Sequence, residues 1–186
     1  MAGFVCLRET DLKSLVAYSS VSHMRFVVVG LLRLKELGWW GARVIMIAHG
    51  LRSSGMFYLV NSVYKKHRSR RLLLCGGLLR VAPGMVLWWF CGVTLSRGVP
   101  PSASLVGEIL ILCGGISRSF LLSLRMMVVM FLGLCYGLYL YGAVIHGSPY
   151  LCVNPGVKGD SVRKMVRFLH FVPLGLLTFV IEVVVE

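Results

Sequence analysis

The sequence predicts an all-α, multi-pass transmembrane bundle of about five helices, formed as a single domain over residues 1–186. Of these 186 residues, 57% are hydrophobic, whereas an average soluble domain has roughly 45–50% apolar residues. The apolar residues form long runs that recur along the whole chain, and a membrane-spanning helix needs about 20 such residues. One run is interrupted by Pro100 and Pro101. We therefore expect a membrane protein with one discontinuous helix.

The first two predicted helices flank a short charged loop. The first helix covers residues 11–32, and Thr10 or Asp11 can cap its N-terminus. The second helix covers residues 39–64 and begins with two tryptophans, which are typical of the membrane interface. The loop between the two helices contains Arg33, Lys35 and Glu36.

A run of basic residues follows the second helix. Residues 65–71 read Lys-Lys-His-Arg-Ser-Arg-Arg, the densest run of positive charge in the chain. Positive charge beside a membrane helix favours the cytoplasmic side, which corresponds to the matrix in a mitochondrion. We interpret this basic loop as a solvated segment that sets the topology rather than as a lipid or partner site.

The third element is predicted to be discontinuous. It starts near Leu72 and is interrupted between Arg97 and Pro101, because the prolines remove two backbone donors. The piece that follows, residues 102–117, is too short to span a hydrocarbon core of ~30 Å by itself. Irregular backbone at membrane depth is tolerated only where it is buried in protein or lines a wet cavity. Such breaks are typical of sites that handle ions.

The C-terminal part of the chain is predicted to hold two more helices. The fourth helix covers residues 120–144, and the last one covers residues 166–185 and contains Pro173. Between them, residues 146–164 form a polar segment with several glycines and prolines. We expect this polar loop to lie on the membrane surface or on a neighbouring subunit.

Charge and cysteine usage exclude several classes of function. The formal charge is +13, from 20 Lys and Arg against 7 Asp and Glu, which in a soluble protein would suggest nucleic acid. Here the basic residues lie within or beside apolar runs, so we expect no nucleic-acid partner. The six cysteines are single and lack the spacing of zinc, haem or iron–sulfur ligands. There is no P-loop or dinucleotide fingerprint, so we expect no metal and no cofactor on this chain.

Three titratable residues, His23, His49 and Glu108, stand in apolar surroundings. A carboxylate at bilayer depth costs about 2.5–3.5 kcal/mol even on a lenient insertion scale. Glu108 therefore suggests charge or proton movement, with a structural salt bridge as the alternative. For His23 the alternative is a core histidine satisfied by Ser19, Ser20 or Ser22. The small residues beside His49 allow either close helix packing or a water molecule next to the ring.

Several motifs resemble one family along essentially the whole chain. Residues 10–24, Thr-Asp-Leu-Lys-Ser-Leu-Val-Ala-Tyr-Ser-Ser-Val-Ser-His-Met, closely resemble a signature of the antiporter-like subunits of respiratory complex I. Further motifs follow in that family's order. They are Ile-Ala-His-Gly-Leu at 47–51, Asn-Ser-Val-Tyr at 61–64, Pro-Pro at 100–101, Leu-Val-Gly-Glu at 105–108, Leu-Tyr-Leu-Tyr at 138–141 and Leu-His-Phe-Val-Pro-Leu at 169–174.

The resemblance implies a place and a function for the chain. It would be a C-terminal fragment, the last five of about fourteen helices of a larger antiporter-like fold, in the mitochondrial inner membrane. The complex passes electrons from NADH to ubiquinone and pumps protons, so the chain would be a subunit of an enzyme that does no redox chemistry itself. Its partners would be other membrane subunits of complex I and the lipid bilayer. NADH, FMN, iron–sulfur clusters and ubiquinone would be bound by other subunits.

The resemblance also implies roles for individual residues. His23 and His49 would lie on a central polar axis, and Glu108 on the broken helix near the exit of a proton path, so that the three form a proton relay. Lys13 belongs to the signature, but we interpret it as an interfacial or helix-start residue with at most an accessory role. Two other functions stay open: a subunit of a bacterial cation/proton antiporter, which shares the signature, and a structural membrane fragment without transport activity.

Three arginines depart from the resemblance. Arg25, Arg52 and Arg71 stand where the related proteins usually carry small residues, and a buried guanidinium group needs a partner. The chain has only 7 acidic residues to supply such partners. Some invertebrate mitochondrial codes read AGA and AGG as serine. We therefore put forward the hypothesis that these arginines arise from translation with a different code.

This hypothesis predicts AGA or AGG codons at positions 25, 52 and 71. Peptide mass spectrometry of the protein from its native membrane would then give the mass of serine at each position, and part of the +13 charge would vanish. CGN codons at these positions would contradict it.

Overall fold

A computed structural model describes residues 2–32, 36–100, 102–116, 120–148 and 161–185, and in these ranges the chain is helical apart from its turns and one isolated antiparallel bridge. The all-α prediction is therefore confirmed. A 3₁₀ turn at Leu72–Leu74 lies between the third and fourth helices. The helices are α1 Ala2–Cys6, α2 Leu12–Leu32, α3 Glu36–His67, α4 Leu78–Val81, α5 Pro83–Ser96, α6 Ala103–Ile116, α7 Phe120–Ile145 and α8 Ser161–Val185.

The long helices lie close to their predicted bounds. Judged by length and composition, α2 and α7 are each apolar enough to cross a membrane. The helix α3 extends further than predicted, because Lys65, Lys66 and His67 form its last turn instead of a loop. Cationic side chains there interact favourably with the negative end of the helix dipole. Of the predicted loop before α3, residues 33–35 lie outside the described part of the chain.

The prediction for the first half of the third element is wrong. Instead of one helix from Leu72, the chain forms the 3₁₀ turn, then α4, and only then α5. Gly77 has φ +81°, a left-handed conformation that glycine adopts at no steric cost. Pro83 occupies the first position of α5, where its missing N–H costs no hydrogen bond. The 14 residues of α5 span about 21 Å, less than a ~30 Å core.

The predicted interruption lies where the sequence placed it. α5 ends at Ser96 and α6 begins at Ala103, and Gly98 between them has φ +65°. Pro101, one of the two residues that predicted the break, lies outside the described residues. The 14 residues of α6 are also too few to span the core, since a spanning helix needs at least about 17. Between the two helices, Gly98 is buried, whereas Val99 and Pro100 are exposed.

The helix α3 is the centre of the bundle and packs against α2, α5, α6 and α8. Glycines set its closest crossings. A Cβ atom added to Gly41 would lie 2.8 Å from the carbonyl oxygen of Gly107 on α6, and one added to Gly30 on α2 would lie 2.8 Å from that of Gly38. Small residues of this kind let helix backbones approach closely. The crossing at Gly107 holds the next residue, Glu108, against α3.

The C-terminal helix and the outer face of α7 complete the bundle. α8 begins at Ser161, earlier than predicted, and contains Pro173. Of the predicted polar loop, residues 149–160 lie outside the described ranges. Large apolar side chains on α7 are exposed, among them Phe120 at 76% and Leu138 at 69%. An exposed apolar face this large marks contact with lipid or with another protein.

The tight crossing of α3 and α6 predicts a steric penalty for any side chain at Gly107. In Gly107→Ala the new Cβ would lie 2.6 Å from Cγ1 of Ile45 and 3.0 Å from the carbonyl oxygen of Gly41. We expect overpacking to cost about 1–3 kcal/mol, measured as a lower thermal midpoint of the assembled protein. Gly142→Ala on α7 is the matched control, because nothing lies within 4 Å of its added Cβ. Equal midpoints for the two variants would contradict this account of the crossing.

Candidate functional site

The candidate site lies at the break between α5 and α6. A cavity of ≈290 Å³ there is lined by His23 of α2, Arg97 and Gly98 of the break, Glu108 of α6 and Tyr136 of α7. A water molecule occupies about 30 Å³ in the liquid, so the cavity has room for several. Its walls combine charged and aromatic side chains with apolar ones.

His23 and Glu108 contact each other directly. Nδ1 of His23 lies 3.3 Å from Oε1 of Glu108. Both side chains are buried, with 7% and 4% of their surface exposed. The other ring nitrogen, Nε2 of His23, is buried and has no hydrogen-bond partner among the described residues. The partner of His23 is thus the carboxylate. Of the three serines considered from sequence, Ser19 bonds to its own helix, with its Oγ 2.7 Å from the carbonyl oxygen of Val16.

His49 joins the same cluster from α3. Its ring stacks on that of His23, with centroids 5.8 Å apart and planes inclined by 23°. Nε2 of His49 lies 2.6 Å from Oγ of Ser20 on α2. Of the two small neighbours of His49, Ala48 belongs to a small buried cluster with Val44 and Ala103, while the space near Gly50 is open. The structure thus brings His23, His49 and Glu108, the three residues singled out from sequence, into one cluster.

Arg52 links this cluster to the break. Its guanidinium Nη2 donates to Nδ1 of His49 at 2.8 Å, and Nη1 donates to the carbonyl oxygen of Ser96 at 3.2 Å and to Oγ of Ser104 at 3.0 Å. Ser96 ends α5 and Ser104 lies in the first turn of α6, so one side chain ties both ends of the break to α3. Sequence reasoning missed this role. The signal in the sequence was the three-residue spacing between His49 and Arg52, because residues three apart on a helix are neighbours.

The two other arginines of the codon hypothesis, Arg25 and Arg71, are exposed. A protein structure carries no information about codons, so the hypothesis stays a prediction. It has a structural consequence at one position only: a serine at position 52 would remove the three hydrogen bonds made by the guanidinium group.

Arg97 is a second cation at the site that sequence reasoning did not single out. Its guanidinium carbon lies 4.1 Å from the centroid of the Tyr136 ring, a cation–π geometry. Its side chain passes so close to α7 that a Cβ on Gly137 would lie 2.6 Å from Nε of Arg97. Arg52 and Arg97 therefore place two positive charges near the single carboxylate of Glu108. Charges interact strongly in a region with little water.

Lys13 lies apart from this cluster. Its Nζ is 5.7 Å from the centroid of the Tyr64 ring, and ten residues separate it from His23 on the same helix, about 15 Å along the axis. This agrees with an interfacial position, and an accessory role stays a prediction. Within the described ranges, no three His, Cys, Asp or Glu residues form a group that could hold a metal ion. Of the six cysteines, Cys152 lies outside those ranges.

The site and the broken helix define a class of membrane protein. Residues 1–135 match the family model described as NADH:quinone oxidoreductase/Mrp antiporter, transmembrane. This match covers well over half of the chain, so the chain belongs to that family.

Within the family, the chain is similar to proteins named NADH-ubiquinone oxidoreductase chain 4. The one from Ceratitis capitata is 42% identical over 183 residues, which are 98% of this chain and 41% of that protein. The one from Anopheles arabiensis is 41% identical over 177 residues, which are 95% of this chain and 80% of that protein. The chain thus spans about two-fifths of the length of the first relative and four-fifths of the second.

Solved structures share the fold. A chain of respiratory complex I from Thermus thermophilus with bound NADH superposes with a TM-score of 0.87 at 21% identity, over 95% of this chain and 37% of that one. A chain of the Mrp complex from Dietzia sp. DQ12-45-1b superposes with a TM-score of 0.74 at 16% identity, over 86% of this chain and 32% of that one. These likenesses confirm the predicted antiporter-like fold.

The position of Gly98 beside the carboxylate predicts that a methyl group there disturbs the site. Gly98 has φ +65°, and its added Cβ would lie 2.9 Å from Oε2 of Glu108. We expect Gly98→Ala to lower stability by about 1–2 kcal/mol through the left-handed backbone alone. The measurement is the thermal midpoint of the assembled protein. Gly84→Ala is the control, since nothing lies within 4 Å of its added Cβ. A midpoint for Gly98→Ala no lower than that of the control would refute the prediction.

Proposed function

We propose that this chain takes part in proton translocation as a membrane subunit of a respiratory NADH:ubiquinone oxidoreductase in the mitochondrial inner membrane. The observation that carries the proposal is the series of half-buried His49 and buried His23 and Glu108 beside a broken helix. Chains of ionisable groups inside membrane helices mark proton paths. The roughly 40% identity to relatives named NADH-ubiquinone oxidoreductase chain 4 supports the same function.

In this proposal the three residues hold protons in turn. An imidazole can accept a proton on one nitrogen and give one up from the other. The 3.3 Å separation between Nδ1 of His23 and Oε1 of Glu108 is close to hydrogen-bond length, so a small movement brings the pair into range for proton exchange. Gly98 and Arg97 line the cavity beside the carboxylate. Water in this cavity can take the proton onward.

The driving force comes from outside this chain. Moving one charge through the membrane field costs about 2.3 kcal/mol per 100 mV, and the proposed relay has no means of supplying it. In the proposed complex, NADH, FMN, iron–sulfur clusters and ubiquinone are held by other subunits, and electron transfer there provides the energy. The exposed apolar side chains of α7 are proposed to contact lipid and neighbouring membrane subunits.

A second candidate function is cation/proton antiport in an Mrp-type complex. The family model covers both classes, and the fold matches a chain of the Mrp complex of Dietzia. We favour the oxidoreductase because the relatives with about 40% identity bear its name, whereas the match to that Mrp chain has 16% identity. A purely structural membrane segment is the third reading, and the experiment below separates it from the other two.

The test is Glu108→Gln in the complete subunit within its assembled complex. The substitution keeps the size of the side chain and removes its proton exchange. We expect fewer protons translocated per electron, while NADH oxidation with a protonophore present stays near the wild-type rate. Glu36→Gln is the control, because Glu36 is exposed at the start of α3.

Unchanged proton translocation with intact assembly would favour the structural reading. Sodium-dependent proton exchange without NADH oxidation would favour the antiporter.

A further inference from the structure

The two histidine rings of the proposed relay are neighbours, but no hydrogen bond joins them directly. Their centroids are 5.8 Å apart and their planes are inclined by 23°. Both nitrogens of His49 and Nδ1 of His23 have other partners, and Nε2 of His23 has none among the described residues. A proton that passes between His49 and His23 needs a hydrogen-bonding group beside the two rings.

Ser20 supplies such a group. Its Oγ lies 2.6 Å from Nε2 of His49, and it precedes His23 by three residues on α2, which places both side chains on the same face of the helix. The guanidinium of Arg52 only donates hydrogen bonds, so Nδ1 of His49, 2.8 Å away, accepts. A neutral His49 therefore carries its proton on Nε2 and donates it to Ser20. A hydroxyl group can accept one proton and release its own.

Two neighbouring cavities complete the link to His23. A small cavity of ≈20 Å³ is lined by Ser20, His49 and Arg52, together with Ser96 and Arg97. This volume exceeds the 10–15 Å³ that one water molecule requires. Ser96 and Arg97 also line the larger cavity of ≈290 Å³ beside His23. The buried Nε2 of His23, which has no partner within the described ranges, is the nitrogen left to receive a proton.

We propose that Ser20 is a further member of the relay and passes protons between His49 and His23. This inference rests on the proposed function. An incoming proton first replaces the Arg52 hydrogen bond on Nδ1 of His49 and makes the ring an imidazolium. The Nε2–H bond of His49 then breaks as its proton reaches Ser20 Oγ, the hydroxyl proton moves through water to Nε2 of His23, and His49 is left neutral. The Nδ1 proton of His23 passes to the ionised Glu108, so His23 is neutral again. Only N–H and O–H bonds change, and no electron is transferred.

The contact between Ser20 Oγ and Nε2 of His49 does not include the side chain at position 52, but the assignment of the proton to Nε2 depends on Arg52. A serine at position 52, as the codon hypothesis has it, would keep the contact and remove this assignment. Besides the two histidines, the charged and titratable groups that line the two cavities are Arg52, Arg97, Glu108 and Tyr136.

The test compares Ser20→Ala with Ser20→Thr in the complete subunit of the assembled complex. Protons translocated per electron are measured in coupled vesicles, and NADH oxidation with a protonophore reports assembly. We expect Ser20→Ala to lower the proton-to-electron ratio and Ser20→Thr, which keeps the hydroxyl, to retain it. Ser62→Ala on α3 is the control, because the Ser62 hydroxyl bonds to the carbonyl oxygen of Tyr58 and Ser62 lines neither cavity. It should leave the ratio unchanged.

Several outcomes would overturn the role of Ser20. If Ser20→Ala keeps the wild-type ratio while Glu108→Gln lowers it, the relay does not use Ser20 and the proposed function stands. If both variants keep the ratio, the proposed function fails as well. Equal losses in Ser20→Ala and Ser20→Thr would mean a packing role. Should Ser20→Ala not assemble, Ser20→Val replaces it, since valine matches the shape of threonine and has no hydroxyl; an unchanged ratio there overturns the proposal.

Discussion

Between α5 and α6 the backbone leaves helical geometry, and Ser96, Gly98 and Ser102 in this stretch are buried. A buried N–H or C=O group without a partner costs about 1–3 kcal/mol, so the protein itself must supply the partners. The N–H groups of Arg97 and Val99 both donate to the carbonyl oxygen of Thr94. The carbonyl of Ser96 accepts from Arg52, and the N–H of Leu105 donates to the carbonyl oxygen of Ser102. The need to satisfy this stretch concentrates polar groups at the break.

The same constraint explains why the glycines and the carboxylate occur together. α6 can be short only if it is held inside the bundle, and Gly107 allows it to approach α3 closely. Glu108 is the next residue, so the tight crossing fixes its Cα beside the break. Gly98, with its positive φ, leaves the space that the carboxylate occupies. His23 reaches Glu108 because α2 packs on α3 through Gly30 and Gly38.

The sequence predicted the features that depend on composition along the chain. Two adjacent prolines and a short apolar run predicted the break, and an acid inside an apolar run identified Glu108. The sequence did not predict the turn and the short helix before α5. Gly77 and Pro83 act there through backbone geometry, which the apolar content of the chain does not report. Sequence reasoning also missed Arg97 and the hydrogen bonds of Ser20 and Arg52. These contacts depend on the register between helices, which glycine-mediated packing sets in three dimensions.

In the proposed relay, the balance of charge limits how a proton can pass. Arg52 and Arg97 are two cations facing one carboxylate, so with neutral histidines and an ionised Glu108 the cluster carries one net positive charge. At an effective dielectric constant of 20, two unit charges ~4 Å apart interact by about 4 kcal/mol. A proton on His23 is therefore stabilised mainly while Glu108 is ionised. Its transfer to Glu108 leaves the charge of the pair unchanged, and a second proton can enter favourably only after Glu108 has released the first into the cavity. The proposed relay therefore makes release at the break, not transfer between the helices, the step at which an external force can control the direction of movement.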